Sequence, residues 1–216
     1  MATKKKSAAP KEATRDPQDA VLEAALQLMA EQGWPTASLA GIAERAGISL
    51  AELHHHFPSK SAILDAFERR IDSIVLGGGE LGGAAAGDER PRDRLFDVLM
   101  RRFDALQPHR AAVAALLASY RSHPLGALAR APQMLRSMAW MLEAAGISSA
   151  GLPGALRTRG LAAIWLSTLS VWLADDTTDL AKTMAALDAR LRRAEELMQM
   201  RLPRRGAPAG ETGGAG

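Results

Sequence analysis

Between residues 17 and 200, apart from one glycine-rich connection, apolar positions recur every three or four residues, and no segment reads as a strand. That spacing is helical. Asp16-Pro17 supplies a cap and a proline suited to a first helical position, and Val21, Leu22, Ala25, Leu26, Leu28 and Met29 then line one broad face up to Gly33. Ser38 caps a short run over 39–46 with Leu39, Ile42, Ala43 and Ala46 inward. Gly47 gives the positive φ of a tight turn. Ser49 caps a third run, 50–57, with Glu52 three residues on as in a capping box. Pro58 breaks it, Ser59 caps a fourth, and Leu64, Phe67, Ile71 and Ile74 keep helical spacing there.

Beyond a glycine-rich connection at 77–91 the helical pattern resumes. Leu95, Leu99 and Leu106 fit one helix before Pro108, and Val113, Leu116, Leu117 and Tyr120 another before Pro124. Met134, Leu135, Met138, Met141 and Leu142 fit a third before Gly146. Residues 155–174 are apolar nearly all round, which predicts a buried central helix ending at Asp175-Asp176. The last helix, 178–200, sets Leu180, Met184, Leu187, Leu191 and Met198 on a bundle-like rhythm. The fold class is all-α: about nine helices, a helix-turn-helix head on a C-terminal bundle. The expected divisions are a disordered basic arm (1–15), the head (16–70), a helical bundle (71–200) and a disordered tail (201–216).

Composition narrows the function. There are no cysteines, which excludes disulfides and thiolate chemistry and suits the cytoplasm. No apolar run reaches the roughly 18 residues of a membrane span, and no apolar segment follows the basic start, so no integral membrane segment or secretory signal is expected. The net charge of +3 resides in the ends: residues 1–16 carry +3, 201–216 carry +2, and 17–200 carry −2. Basic tails suit a polyanionic partner.

Catalytic chemistry is not indicated. The chain has no G-x-S-x-G elbow, no P-loop and no H-E-x-x-H. Gly77, Gly79 and Gly82 satisfy the letters of a dinucleotide fingerprint, but a helix precedes them where the motif needs a strand. Asp175-Asp176 reads as a capping or solvated pair at a helix end. The consecutive histidines 54–56 point about 100° apart on a helix, so they do not converge on a metal ion. No cofactor, metal or catalytic residue is expected.

Two short helices on a glycine turn, behind a longer one, form a helix-turn-helix, and a major groove admits one helix. Residues 17–67 resemble the DNA-binding domain of TetR-type transcriptional regulators. The resemblance rests on Gly33-Trp34, Ser38-Leu39, Ile42-Ala43, Ala46-Gly47-Ile48-Ser49, Leu53, His56-Phe57, Ser59-Lys60 and Leu64. It implies a homodimer that binds double-stranded operator DNA and responds to a ligand, with 71–200 as the ligand-binding and dimerisation bundle. It implies a DNA-binding set of Ser38, Ser49, Leu50, Ala51, Glu52, His54, His55 and Lys60, with Ser38 and Lys60 at phosphate and Leu53 and Phe57 as core. His54 stands where the family usually has Tyr, Leu50 where Lys, Arg or Pro is common, and Ala37 where a second hydroxyl is common. Residues 17–70 hold seven carboxylates against four cations, a net −3, so the basic arm is expected to help hold the duplex.

The C-terminal half, 159–200, with the segment 94–120, is similar to the lipid-binding proteins of coenzyme Q biosynthesis. The shared pattern is an apolar helix, an acidic-Thr turn and a Leu-Asp-x-Arg-Leu helix. That likeness implies an alternative, a lipid or isoprenoid carrier that keeps the TetR fold. On either reading the bundle takes an apolar small molecule or lipid, with Phe103, Met138, Trp140, Trp165 and Trp172 as expected pocket residues. Leu180, Met184, Leu187 and Leu191 are the expected dimer seam.

Overall fold

The computed structural model describes residues 16–78 and 89–201, with side chains as far as Met198. The arm, most of the glycine-rich connection and the tail after 201 lie outside the described residues, so the expectations placed on them do too. Among the described residues there are nine α-helices and no strand: α1 (Pro17–Gln32), α2 (Leu39–Ala46), α3 (Leu50–His56), α4 (Lys60–Gly77), α5 (Pro91–Leu106), α6 (Arg110–Ser122), α7 (Pro124–Ala144), α8 (Gly151–Leu173) and α9 (Ala181–Arg201). A single 3₁₀ turn, Gln107–His109, joins α5 to α6.

The described residues form two compact units, 16–78 with 104–137 and 89–103 with 138–201. In the first, α1 packs on α2, α4 and α6, and α2 packs on α3. Val21, Met29, Ile42, Leu53 and Ile63 are almost completely buried there. Polar contacts tie the later residues to α4. Arg130 donates to Asp65 and lies 2.8 Å from Glu68, Ser137 Oγ donates to buried Asp72 at 2.6 Å, and the His109 ring stands edge-on to Phe67 at 5.2 Å. Burial pulls the His109 imidazole below its ordinary value, and burial likewise raises the Tyr120 phenol. This first unit therefore extends beyond the head expected at 16–70.

In the second unit α8 packs on α9, over a core that includes Leu99, Phe103, Met138, Met141, Trp172 and Leu187. The turn between the two helices is built on Asp175. Its carboxylate is fully buried and accepts from Thr177 N (3.1 Å), Thr177 Oγ1 (2.6 Å), Thr183 N (2.8 Å) and Thr183 Oγ1 (2.7 Å). Burial opposes ionisation, but these four donors outweigh it and hold the carboxyl well below the usual carboxylate range. In the same turn Leu180 has a φ of 56°, a conformation that costs a non-glycine residue roughly 1 kcal/mol.

Several sequence expectations change. Ile74 is exposed and Val75 buried, so the inward stripe of α4 shifts by one residue at its end. α7 starts ten residues before Met134 and carries Pro132 inside it. α8 is not buried all round. Gly154, Thr158, Leu161, Trp165, Leu169 and Trp172 face the protomer, while Leu152, Leu156 and Leu166 are exposed. α9 begins at 181 rather than 178, because 178–180 belong to the Asp175 turn.

Candidate nucleic-acid interface

The α2–α3 pair is built by serine caps and one glycine. Ser38, at φ −90° and ψ 154°, accepts from Gly41 N at 3.0 Å and so starts α2. Gly47, at φ 72°, ends it, and its N–H donates to Glu44 O at 3.1 Å while Ile48 N donates to Ala43 O at 3.1 Å. Ser49 Oγ accepts from Glu52 N at 3.1 Å and starts α3. Ser59 Oγ accepts from Ala62 N at 3.1 Å and starts α4. With both ends of each short helix satisfied, Leu53 and Phe57 turn inward and are buried.

The opposite side of α3 is open. Ser49, Leu50, Ala51, Glu52, His54 and His55 are all exposed, as is Ser38. The structure thus brings seven of the eight expected DNA-binding residues to the surface. His56 is half-buried, with its ring 5.5 Å from that of His55 in an edge-on arrangement.

Lys60 behaves differently from the expectation. Its Nζ donates to the Trp34 carbonyl, lies 3.4 Å from the Pro35 carbonyl, and sits 4.4 Å from the centre of the Trp34 ring. Burial lowers its pKa from the ordinary lysine value. The reason is local: the α1–α2 turn at Trp34-Pro35 brings two carbonyls and an aromatic face to the start of α4, which an ammonium satisfies at once. Here Lys60 fastens α4 to that turn instead of facing outward. The aromatic at 34 was the one sequence signal of this contact.

Other cations of the head are likewise engaged. Arg45 makes a two-pronged bond to Glu31, 2.9 Å on each prong, which lowers the Glu31 pKa and raises that of Arg45. Arg70 lies 3.2 Å from Asp19 and 3.8 Å from Glu23. Pairs separated by 14 or 51 residues leave no trace in local sequence.

The expected ligand residues divide. Phe103 stacks on Trp165 at 4.5 Å and tilts against Trp172 at 5.8 Å, and Met138 is fully buried. Arg102 lies over the Trp165 ring at 5.2 Å, with Nη1 3.9 Å from Met141 Sδ. Trp140 is 59% exposed and points away, so the five do not line one cavity. A separate shallow depression of about 340 Å³ lies between the α1–α2 turn and α6, lined by residues that include Pro35, Ala115, Ser119 and His123.

The dimer seam needs a correction. Leu180, Leu187 and Leu191 are buried inside the protomer, and Met184 is half-buried. The rhythm of α9 marks the face that packs on its own chain. α8 presents exposed Leu156 and Leu166, with Gly160 and Ala163 between them and Ser167 and Ser170 beyond, while Leu125, Leu128 and Trp140 of α7 and Leu197 and Met198 of α9 are exposed as well.

The profile of bacterial regulatory proteins, tetR family, matches residues 21–67. Among curated proteins, the HTH-type transcriptional regulator BetI of Serratia proteamaculans is 32% identical over 102 residues, covering 47% of this chain and 52% of that protein. The chain thus spans about half the length of the curated relatives it matches. Among solved structures, a TetR transcriptional regulator from Nitrosomonas europaea is similar with a TM-score of 0.66 and 27% identity, over 84% of this chain and 99% of that one. A TetR transcriptional regulator from Rhodococcus sp. RHA1 shares the fold at a TM-score of 0.58 and 24% identity, over 87% of this chain and 97% of that one. These relatives are regulators and lend the coenzyme Q likeness no support. The α2–α3 geometry, the profile match over the same residues and the likeness along most of the chain agree: the fold is similar to that of TetR regulators, and residues 21–67 match the tetR family of bacterial regulatory proteins.

Proposed function

We propose that the chain is a transcriptional regulator that binds double-stranded operator DNA through α3, acts as a homodimer, and responds to an apolar ligand in its second unit. The observation that carries the reading is the exposed face of α3, with Glu52, His54 and His55, on a head whose α2, α3 and α4 each start at a serine cap. Such a helix can enter a major groove, and among the described residues its outward side chains are exposed. The activity is binding and not catalysis, and a DNA partner places it in the cytoplasm.

Dimerisation is assigned to the outer face of α8, with α9 beside it. Leu156 and Leu166 supply apolar area, and Gly160 and Ala163 between them let another helix approach closely. Ligand response is assigned to the Phe103–Trp165–Trp172 cluster, which an apolar molecule would have to open. Ligand binding would then lower operator affinity only as far as it prefers one arrangement of the protein over another.

The test is a salt titration of binding to DNA fragments flanking the chain's own gene. A specific site should saturate with two protomers per duplex, and affinity should fall steeply with salt. Binding that never exceeds that to a shuffled fragment would remove the regulator reading. Quenching of tryptophan emission by an isoprenoid or aromatic panel would support the assigned ligand cluster.

A further inference from the structure

We infer that Glu52 sets the base preference of this head: its carboxylate accepts from the amine of a cytosine in the major groove and rejects guanine and thymine at that position. The inference rests on the DNA-binding reading above and names the specificity of that same face.

Glu52 stands on the outward side of α3. Successive residues step about 100° round a helix, which sets Ala51, Glu52 and His55 opposite buried Leu53. All three are exposed. The order Ser49-x-x-Glu52 is that of a capping box, in which the glutamate side chain returns to the N–H of the cap residue. Only one of the two bonds forms. Ser49 Oγ accepts from Glu52 N at 3.1 Å, while the Glu52 carboxylate makes no hydrogen bond or ion pair among the described residues. The helix therefore starts without that carboxylate, which is left for a contact outside the chain.

The neighbours of Glu52 leave the recognition to it. Leu50 and Ala51, the two residues before it, have no polar side-chain atom, and the Ser49 hydroxyl is engaged at the cap. A recognition helix brings its early side chains to the base edges. There a carboxylate has a restricted choice. It only accepts, so phosphate oxygens repel it, and so do guanine N7 and O6 and thymine O4. Cytosine offers its N4 amine with no acceptor beside it in the groove, whereas adenine sets N7 next to its N6 amine. The order at the contacted position is cytosine, then adenine, with guanine and thymine rejected. Attraction to one base combined with repulsion from the others discriminates more sharply than attraction alone. A glutamine at the same place would choose differently, because its amide accepts from adenine N6 and donates to adenine N7 at once.

The experiment uses the full chain as wild type, Glu52→Gln and Glu52→Ala, with folding checked by circular dichroism. Each protein is taken through selection from a duplex library with about 20 randomised base pairs, enough for two half-sites one helical turn apart. The best-enriched duplex and its single base-pair replacements are then measured by fluorescence anisotropy. Wild type should enrich a sequence with a cytosine position in each half-site. Glu52→Gln should change that position to adenine and Glu52→Ala should leave it open, with the remaining positions unaltered. Replacing that C·G pair by G·C or T·A should weaken wild-type binding roughly tenfold or more, and Glu52→Ala binding less than about threefold. The same base preferred at every position by all three proteins overturns the inference while leaving DNA binding intact. So does a variant that binds every duplex more tightly by one common factor, which would make the carboxylate a source of repulsion alone. A library from which none of the three enriches any sequence overturns the DNA-binding reading and this inference with it.

Discussion

The α2–α3 pair and the α8–α9 pair are both two helices on a tight corner, yet they turn opposite chemistry outward. In α2–α3 Ile42, Ala43, Leu53 and Phe57 are inside, and the open face of α3 is short and carries Glu52, His54 and His55 beside Leu50 and Ala51. In α8–α9 the buried seam is already filled by the chain itself, and α8 still presents Leu156 and Leu166 to solvent. A polar face with titratable donors fits the edges and phosphates of a duplex. An apolar face with small residues fits another helix. The corners differ to match: a glycine in the left-handed region joins α2 to α3, while a buried carboxylate with four donors fixes the corner before α9.

The largest effect that can break this comparison is at Leu187. Because it is completely buried in the protomer, Leu187→Ala should cost about 2–5 kcal/mol in urea unfolding. A well-folded variant that is merely monomeric would return Leu187 to the interface and undo the assignment to α8. The complementary change is Leu166→Glu, on the exposed side of the same helix pair. It should convert a dimer to a monomer in sedimentation velocity while leaving circular dichroism unchanged, and a persistent dimer would place the interface elsewhere.

Asp175 sharpens the contrast between the corners through pH. Its carboxyl is held below the ordinary range in the folded state, so its stabilising effect is present above the unfolded value of about 3.9 and lost as pH falls below it. Asp175→Asn should lower the melting temperature at pH 6 and flatten the acid limb of the stability curve. An unchanged acid limb would mean that another carboxylate controls it. A smaller effect is expected at Lys60. Lys60→Ala should destabilise the head by about 1 kcal/mol through loss of the Trp34 contact, with the salt slope of DNA binding unchanged. A slope reduced by about one would restore Lys60 to a phosphate.

What the sequence made legible follows from how local each cause is. Ser38, Ser49, Ser59 and Gly47 act within three or four residues of themselves, and each sits at the helix end expected of it. The inward Leu53 and Phe57 and the outward His54 and His55 follow from the same short-range geometry. Causes that act across the fold were hidden. The rhythm of Leu180, Leu187 and Leu191 says that a face is buried, but burial against α8 and burial against a second protomer leave the same pattern. Trp140 follows Met138 by two residues, so on a helix it points to another side, whatever its aromatic character suggests. Lys60 stood at a helix start suited to phosphate, and only the fold shows two carbonyls already waiting there. The apolar spacing from Met134 onward marked only the later part of α7, which starts at Pro124 and runs through Pro132.

The central claim is that the open face of α3 meets duplex DNA, and Ala51→Glu tests it most directly. Ala51 is exposed in the first turn of α3, where an added carboxylate suits the helix itself, so the head should stay folded by circular dichroism and melting. Anisotropy with the best-bound fragment flanking the gene should then show a loss of about 1–3 kcal/mol or more in binding, as a negative charge enters the groove. A folded Ala51→Glu variant that binds the duplex as tightly as wild type would contradict the account.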